Sequence, residues 1–382
     1  MYLAEEQAHI PRYQVDVAEP EPLLPLVPAP MPPSAAEEEQ AYDHIKFNVM
    51  SDTVTLPSER MRAAMATAVC GDNVLGNDVP TMQLETLVAQ LSGKESAIFL
   101  PSGTQSNQLA LRALLGSHAL PSSVLCDHRA HIYTSELGGI ASNSHASTTP
   151  VVPSNGHHLT LDDVKKHANT VLSITAPRTR IISLENTLHG TIFPQDEIKR
   201  IATFARAHDI QLHLDGARLW NAAAETGMPL RDLCKPFDTV SLCLSKGIGA
   251  PIGSILVGPA TVIGTVHYLR KMMGGGMRQT GVVAAAAHAA LHETWPKLRA
   301  THALAQRVAA VLQSHGARIL VPVETNMIFF RWDTSVLDEK VLVQQAAALD
   351  PPITLGTGRM VIHWQTDPSL PARLDALLRS II

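Results

Sequence analysis

Three charged residues at fixed spacing give this chain a chemical pattern, since each stands at or just past the end of a largely apolar run. Lys246 follows residues 241–244, and glycines come directly after it. Asp215 ends the run that begins at residue 212, and Arg218 stands three positions later. A strand-end lysine can form a Schiff base with an aldehyde, and a strand-end aspartate can keep a pyridine nitrogen protonated so that the ring draws in electrons. The pattern therefore predicts a pyridoxal phosphate (PLP) site. The alternative, that Lys246 merely ends a surface strand, would apply to an isolated Ser-Lys-Gly motif.

A second segment has the composition of an anion-binding turn. Residues 101–107 follow an apolar run and open a helical pattern, with Ser102, Gly103 and Thr104 at the junction. Backbone N–H groups at the start of a helix favour a phosphate dianion, and the two hydroxyl groups add possible donors. Serine and threonine are also common helix caps, so the motif alone leaves a plain cap and a phosphate cradle equally open. Because ligands of α/β sheets bind at the carboxyl ends of the strands, the position favours phosphate.

These residues must be positioned by the strands and helices around them. Short apolar runs alternate with helical patterns such as residues 195–208, which predicts an α/β fold with a mainly parallel sheet. The strand candidates are residues 97–100, 123–126, 180–184, 211–214, 239–244 and 254–257. From about residue 282 the pattern changes to long alanine-rich helices, followed by short strands at 327–330 and 359–363.

The chain is expected to have three parts. Residues 1–44 are rich in proline and acidic residues, and are expected to form a disordered or extended arm. Residues 45–285 are expected to form a large PLP-binding domain, and residues 286–382 a small C-terminal α+β domain.

The composition argues against several classes of function. The 382 residues are 45% hydrophobic, which is enough for a large core. The net charge is −5 without a basic tract, so neither nucleic acid nor a membrane is an expected partner. No apolar stretch is long enough to span a bilayer, the N-terminus does not have the pattern of a secretory signal, and the four cysteines have no zinc-ligand spacing. A reducing, cytoplasmic location is expected.

Seven segments carry a more specific pattern. They are residues 51–55, 101–104, 131–136, 183–187, 213–218, 243–246 and 270–279. In this order they resemble motifs of the low-specificity L-threonine aldolases, PLP enzymes of the aspartate aminotransferase fold (fold type I). The resemblance is dense from residue 48 to 285 and looser to 365, and the version at 185–190 is most similar to fungal members. It implies an aldolase that cleaves or forms L-β-hydroxy-α-amino acids such as threonine or allo-threonine, with glycine and an aldehyde as the other reactants.

The resemblance implies a role for each residue at the centre of the site. Lys246 would carry PLP, and Asp215 would pair with its pyridine nitrogen. His131 would stack on the cofactor ring and is one candidate for the base. Arg218 would reach the cofactor phenolate or the substrate carboxylate, and Arg359 would clamp that carboxylate.

The resemblance also implies residues at the edge of the site. Ser51 would assist in binding the substrate carboxylate, and Gly103 and Thr104 would hold the phosphate. Arg278 would be donated by a neighbouring subunit. The implied assembly is therefore a homo-oligomer, a tetramer built from dimers.

Three positions depart from the family pattern, since Leu75 replaces a tyrosine and Asn73 and Asn77 replace acids, and other functions stay open. Leu75, within residues 71–78, stands where family members usually have a tyrosine, so longer or aromatic substrate side chains are expected to be favoured over threonine. The alternatives are another fold type I reaction, either β-elimination or transamination, and a non-catalytic scaffold. The segments that carry Glu136 and Arg278 favour the aldolase, and the retained lysine, aspartate and arginine argue against the scaffold.

Overall fold

The computed structural model describes residues 34–116 and 121–382. Tyr42–Ile382 form one compact unit, and the described residues 34–41 belong to another. Among the described residues, no helix combines the length and the apolar character needed to cross a bilayer.

The first helix, α1 (Ala35–Lys46), lies where the sequence predicted an extended arm. Its alanine, glutamate and glutamine residues are strong helix formers, and the acidic Glu37 and Glu38 in its first turn complement the helix dipole. Residues 35–44 are thus helical, and a separate arm over residues 1–44 stays a prediction. The rest of the predicted arm, residues 1–33, lies outside the described part of the chain.

A seven-stranded sheet forms the centre of the fold. Its strands are β1 (Ser96–Leu100), β2 (Ser122–Asp127), β3 (Ser147–Val151), β4 (Arg178–Glu185), β5 (Gln211–Asp215), β6 (Thr239–Cys243) and β7 (Ser254–Gly258). The spatial order is β1-β7-β6-β5-β4-β2-β3. The five strands from β3 to β6 in this order pair in parallel, and only β7 runs antiparallel to its neighbours. The predicted α/β fold with a mainly parallel sheet is confirmed.

Helices cover both faces of this sheet. They are α2 (Glu59–Thr67), α3 (Val79–Ser92), α4 (Gly103–Leu115), α5 (His131–Thr134), α6 (Gly139–Ser144), α7 (Leu161–His167), α8 (Gln195–Ala207), α9 (Leu219–Thr226), α10 (Leu230–Cys234), α11 (Ala260–Met272) and α12 (Gly281–Thr294). Strand side chains alternate between the faces, as β2 shows: Leu125 joins the core under α7 and α8, whereas Val124 and Cys126 join the core under α4 to α6. The face that carries α4 is the one that holds the site.

A smaller three-stranded sheet follows. Its elements are α13 (Leu298–Ser314), β8 (Arg318–Ile319), β9 (Met327–Arg331), α14 (Glu339–Ala347), β10 (Arg359–Val361) and α15 (Leu370–Ile381). The strands are antiparallel in the order β10-β9-β8, and they pack on a separate apolar core. Phe47 and Val49 join this core, although the sequence assigned them to the large domain. Helix α12 runs through residue 285, and a domain boundary at that position stays a prediction.

Candidate active site

The site lies at the edge of the sheet where the parallel strands end. Asp127, Glu185 and Asp215 are the last residues of β2, β4 and β5, and the register places Glu185 opposite Asp215. Because parallel strands have their carboxyl ends at the same edge of the sheet, the strand direction alone places these three side chains at that edge.

Lys246 stands three residues beyond β6 in a tightly packed turn. A Cβ atom on Gly247 would lie 2.7 Å from the Asn221 Oδ1 atom, and Gly249 has a φ of +77° that glycine adopts without strain. These glycines hold the lysine at the strand end. Its side chain is half-buried, and the described residues offer its amine neither a hydrogen-bond acceptor nor an ion-pair partner. A free amine beside the acidic strand ends is what condensation with an aldehyde requires.

Asp215 is buried and held from two directions. The Asn107 Nδ2 atom donates to its Oδ2 atom at 2.8 Å, and the Ala217 backbone N–H donates to its Oδ1 atom at 3.0 Å. Asn107 is itself oriented by His213, whose Nε2 atom lies 3.2 Å from the amide oxygen. Burial lowers the pKa of His213 to about 4, so this histidine is neutral and acts as a support for Asn107. The sequence analysis named Asp215 but did not find Asn107.

His131 begins α5 and pairs with a buried acid. Its Nδ1 atom lies 2.8 Å from Glu136, and this hydrogen bond is the main cause that raises the pKa of the imidazole. Glu136 is fixed in turn by Asn107 at 3.0 Å and by Gln108 at 2.5 Å. With Nδ1 engaged, the Nε2 atom is left to face a substrate, which suits a residue that stacks on a ring or transfers protons.

The turn before α4 shows one of the two roles that the sequence left open, the helix cap, and its geometry is compatible with the other. The Ser102 Oγ atom accepts a hydrogen bond from the Gln105 N–H group at 3.1 Å, so Ser102 caps the helix. A Cβ atom on Gly103 would lie 2.6 Å from the Cys243 Sγ atom, so only glycine fits there. Thr104 is exposed beside it at the first turn. The helix start therefore presents backbone N–H groups next to the strand that leads to the lysine.

Arg218 forms a two-pronged ion pair with a residue that the sequence analysis missed. Its Nε and Nη2 atoms donate to the two carboxylate oxygens of Asp52 at 2.8 and 2.7 Å, and Asn326 donates to Asp52 at 3.1 Å. Burial works against the ionised form of Asp52, but the Arg218 guanidinium outweighs it and holds the pKa of the carboxyl below its ordinary value. Two of the Arg218 nitrogens are thereby used, and Nη1 remains for other ligands.

The other predicted residues lie towards the rim. Arg359 is exposed, and its Nη2 atom donates to the Met50 carbonyl at 3.2 Å, which places it beside Ser51. Arg278 pairs with Asp72 at 2.8 Å, and Leu75 lies in the same turn with 72% of its surface exposed. In one chain, Leu75 therefore forms no enclosed wall.

Asn186 is a third residue that the sequence analysis missed, after Asn107 and Asp52. Its N–H group donates to the Asp215 carbonyl at 3.0 Å, and its Oδ1 atom accepts from Phe193 at 3.2 Å. Its Nδ2 atom is buried and has no hydrogen-bond partner among the described residues. A buried donor without an acceptor costs free energy and points to an absent ligand. The sequence feature that could have identified Asn186 is its position directly after Glu185, the acidic residue that ends β4.

These features fit PLP. The unpartnered Nδ2 atom belongs to Asn186, whose backbone N–H donates to the Asp215 carbonyl, and it requires an acceptor such as a phenolate. Gly103 lets the backbone of the turn before α4 lie close to Cys243, and the Lys246 amine is free. A phosphate-bearing pyridine aldehyde offers a group for each of these.

Comparisons with known proteins agree with this arrangement. Residues 48–335 match the family model described as beta-eliminating lyase. The chain is 43% identical over 344 residues to the low-specificity L-threonine aldolase of Eremothecium gossypii, covering 89% of both chains. It is 44% identical over 338 residues to aldolase vrtJ of Penicillium aethiopicum, covering 88% of this chain and 86% of the other. The solved structure of Leishmania major threonine aldolase has the same fold, with a TM-score of 0.73, 20% identity, and coverage of 87% of this chain and 99% of that one.

Proposed function

The chain belongs to the low-specificity L-threonine aldolase family and matches the beta-eliminating lyase family model, and from this premise we propose that it is a PLP-dependent aldolase. It cleaves L-β-hydroxy-α-amino acids such as threonine and allo-threonine to glycine and an aldehyde, and catalyses the reverse reaction. The observation that carries the proposal is the free amine of Lys246 at the strand edge that holds Asp215, with His131 and Glu136 beside them.

Each functional group of the cofactor would be held by a different part of the site. The Lys246 amine would bind its aldehyde, the Asp215 carboxylate its ring nitrogen, and the N–H groups at Gly103 and Thr104 its phosphate. The Asn186 amide would donate to its phenolate. When bound, the cofactor draws electrons from the substrate Cα atom, so that the bond between Cα and Cβ can break.

The substrate is held and deprotonated by the chain itself. Arg359, tied to the Met50 carbonyl next to Ser51, offers a planar guanidinium that can bind the α-carboxylate through two hydrogen bonds. His131 is a candidate to take the β-hydroxyl proton at Nε2, because Glu136 stabilises the imidazolium that results. The buried Glu136, fixed by two amides, keeps the ring in one orientation.

The assembly is proposed to be a homotetramer made of dimers, in which Arg278 serves the site of a neighbouring subunit. Exposed apolar side chains support a covered surface: Leu75, in the turn that contains Asp72, is 72% exposed, and Tyr268 and Met272 on α11 are 78% and 72% exposed in the single chain. In this assembly Leu75 forms part of the substrate pocket. The proposed location of the protein is the cytoplasm.

The test is to assay the purified protein with PLP for visible absorbance near 420 nm and for glycine release from threonine, allo-threonine and phenylserine. Lys246→Ala is expected to lose both the visible band and nearly all turnover, because the variant has no amine to hold the aldehyde. Retention of both in this variant would remove Lys246 from the site. Pyruvate formation from serine without glycine release would instead favour the β-eliminating lyase, and amino transfer to a keto acid would favour the aminotransferase.

A further inference from the structure

Glu185 is an acidic residue at the centre of the site to which the steps above give no role. It ends β4, directly opposite Asp215 in the register of β5. Its Oε2 atom accepts a hydrogen bond at 2.8 Å from the backbone N–H group of His131. The residue therefore joins the strand edge to the start of α5.

Two carboxyl groups on neighbouring strands, at the same register position, repel each other if both are ionised. Asp215 has the donors that an ionised carboxylate needs, because Asn107 and Ala217 both donate to it. Glu185 has one backbone donor and no cation in an ion pair among the described residues. The two sites therefore differ in how well they support a negative charge.

Other charged groups surround Glu185 on every side. His131 and Lys246 act to lower its pKa, while burial and the charge of Asp215 act to raise it. Burial is the largest of these effects, and the pKa of Glu185 is raised to about 8. The carboxyl group is therefore mostly protonated at neutral pH.

The remaining neighbours do not supply a partner charge. The charge of Glu185 also interacts with Cys126 on β2 and with Arg218 after β5. Arg218 is already paired with Asp52. Glu185 lines a cavity of about 270 Å³ whose other polar walls are Asp127, Asn155, His157, His158, Thr191 and Glu324. Asp127 is paired with Arg129, and Glu324 accepts a hydrogen bond from the Ile192 N–H group.

We propose that Glu185 is a positioning residue that works as a neutral carboxyl group: it holds the His131 backbone as a hydrogen-bond acceptor and leaves Asp215 as the charged carboxylate beside the cofactor ring. A second fixed negative charge at this edge would strengthen the hold on every cation in the site, including the Lys246 amine. The inference rests on the proposed function, because the group towards which these residues are arranged is PLP.

The proposal is tested with three variants. Glu185→Gln keeps a neutral oxygen acceptor of the same size, whereas Glu185→Ala removes the acceptor. Glu85→Gln is the matched control, because Glu85 also has a buried carboxyl, with a pKa raised to about 7, that accepts a backbone N–H, here from Phe99 at 2.8 Å. Glu85 lies on α3, under a different strand.

The first measurement is cofactor affinity at pH 7. Glu185→Gln is expected to bind PLP within about twofold of the parent, and Glu185→Ala about tenfold more weakly, because it loses one backbone hydrogen bond. Glu85→Gln should match the parent. If Glu185→Gln binds as weakly as Glu185→Ala, the site needs the charge of Glu185 and the proposal is overturned. If Glu185→Ala does not fold, Glu185→Asp replaces it, since its shorter side chain withdraws the oxygen from His131.

The second measurement is the thermal midpoint of the cofactor-free protein from pH 5 to pH 9. The pKa of Glu185 is higher in the folded protein than in the unfolded chain, so its contribution to stability is complete at low pH and is lost as the pH rises towards about 8. Glu185→Gln has no such proton to lose. Its midpoint relative to the parent should therefore rise with pH, and a constant difference would overturn the proposal.

The third measurement follows the visible absorbance of the PLP-loaded protein against pH. In the parent, Glu185 ionises as the pH approaches about 8, and its negative charge then favours the protonated form of the cofactor-bound site. Glu185→Gln never gains this charge, so the midpoint of the titration should lie about half a pH unit or more lower in Glu185→Gln and stay in place in Glu85→Gln. An unchanged midpoint in Glu185→Gln would show a purely structural residue. If the parent binds no PLP at all, the proposed function fails together with the positioning role, and the second measurement still reports whether Glu185 is neutral.

Discussion

Replacing Asp52 by asparagine should destabilise the protein, because it leaves the Arg218 guanidinium without its counterion. Both side chains are largely removed from water: the Asp52 side chain has 0% and the Arg218 side chain 15% of its surface exposed. Breaking a buried ion pair by removing one partner costs about 3–5 kcal/mol. The asparagine keeps one oxygen for Arg218, which also reaches some solvent, so we expect the lower end, about 3 kcal/mol.

The pH dependence of this loss has a defined sign. The pKa of Asp52 is lowered in the folded protein, so the pair stabilises the fold above the ordinary carboxyl pKa of about 4 and loses this effect at more acidic pH. The difference between the parent and Asp52→Asn should therefore be the same at pH 5 and at pH 8.

The assay is urea unfolding of the cofactor-free protein, followed by fluorescence at both pH values. Asp196→Asn serves as the control, since it removes an acid whose ion pair with Lys199 is exposed on the protein surface, and it should leave the unfolding midpoint almost unchanged. A loss below about 1 kcal/mol in Asp52→Asn, or one that vanishes at pH 5, would refute the reasoning.

Three further substitutions test other parts of the site. Asp215→Asn should still bind PLP but release glycine from threonine far more slowly, as measured by kcat, because the ring nitrogen loses the charge that keeps it protonated; normal turnover would contradict the role of Asp215. Gly103→Ala should weaken PLP binding in a fluorescence titration, since its Cβ atom would lie 2.6 Å from the Cys243 Sγ atom and push the turn aside; unchanged affinity would show that the turn does not hold the phosphate. Leu75→Tyr should raise kcat/KM for threonine relative to phenylserine, because the tyrosine adds a hydroxyl group to the part of the substrate pocket that Leu75 makes apolar. An unchanged ratio, or a parent that already prefers threonine, would exclude Leu75 as a determinant of specificity.

The sequence could predict those features that depend on local pattern. Six apolar runs were identified as strands, and all six lie in the sheet. The strand β3 was missed because its residues, Ser-Thr-Thr-Pro-Val, contain no apolar run; as an edge strand it needs none, and it tolerates a proline. Lys246 and Asp215 could be placed together because parallel strands end on one side of a sheet.

The supporting residues could not be predicted in the same way. Arg218 and Asp52 are 166 positions apart, and Asn107 and Asp215 are 108 apart, so only the folded chain brings them together. Asparagine and aspartate are also common in turns, which gives their presence in a sequence little specificity. The helix α1 was missed for another reason, because the proline-rich stretch before it dominated the interpretation of residues 1–44.

The helix α4 has a consequence for how such an enzyme can change. Its start is the turn proposed to bind the phosphate, Asn107 donates to both Asp215 and Glu136, and Gln108 also donates to Glu136. One helix would thus carry most of the residues proposed to anchor the cofactor, while Leu75 and Arg359 belong to other segments. Substitutions near the substrate can therefore accumulate without weakening cofactor binding, so the substrate preference can change one residue at a time. A substitution in α4, by contrast, would disturb several cofactor contacts at once.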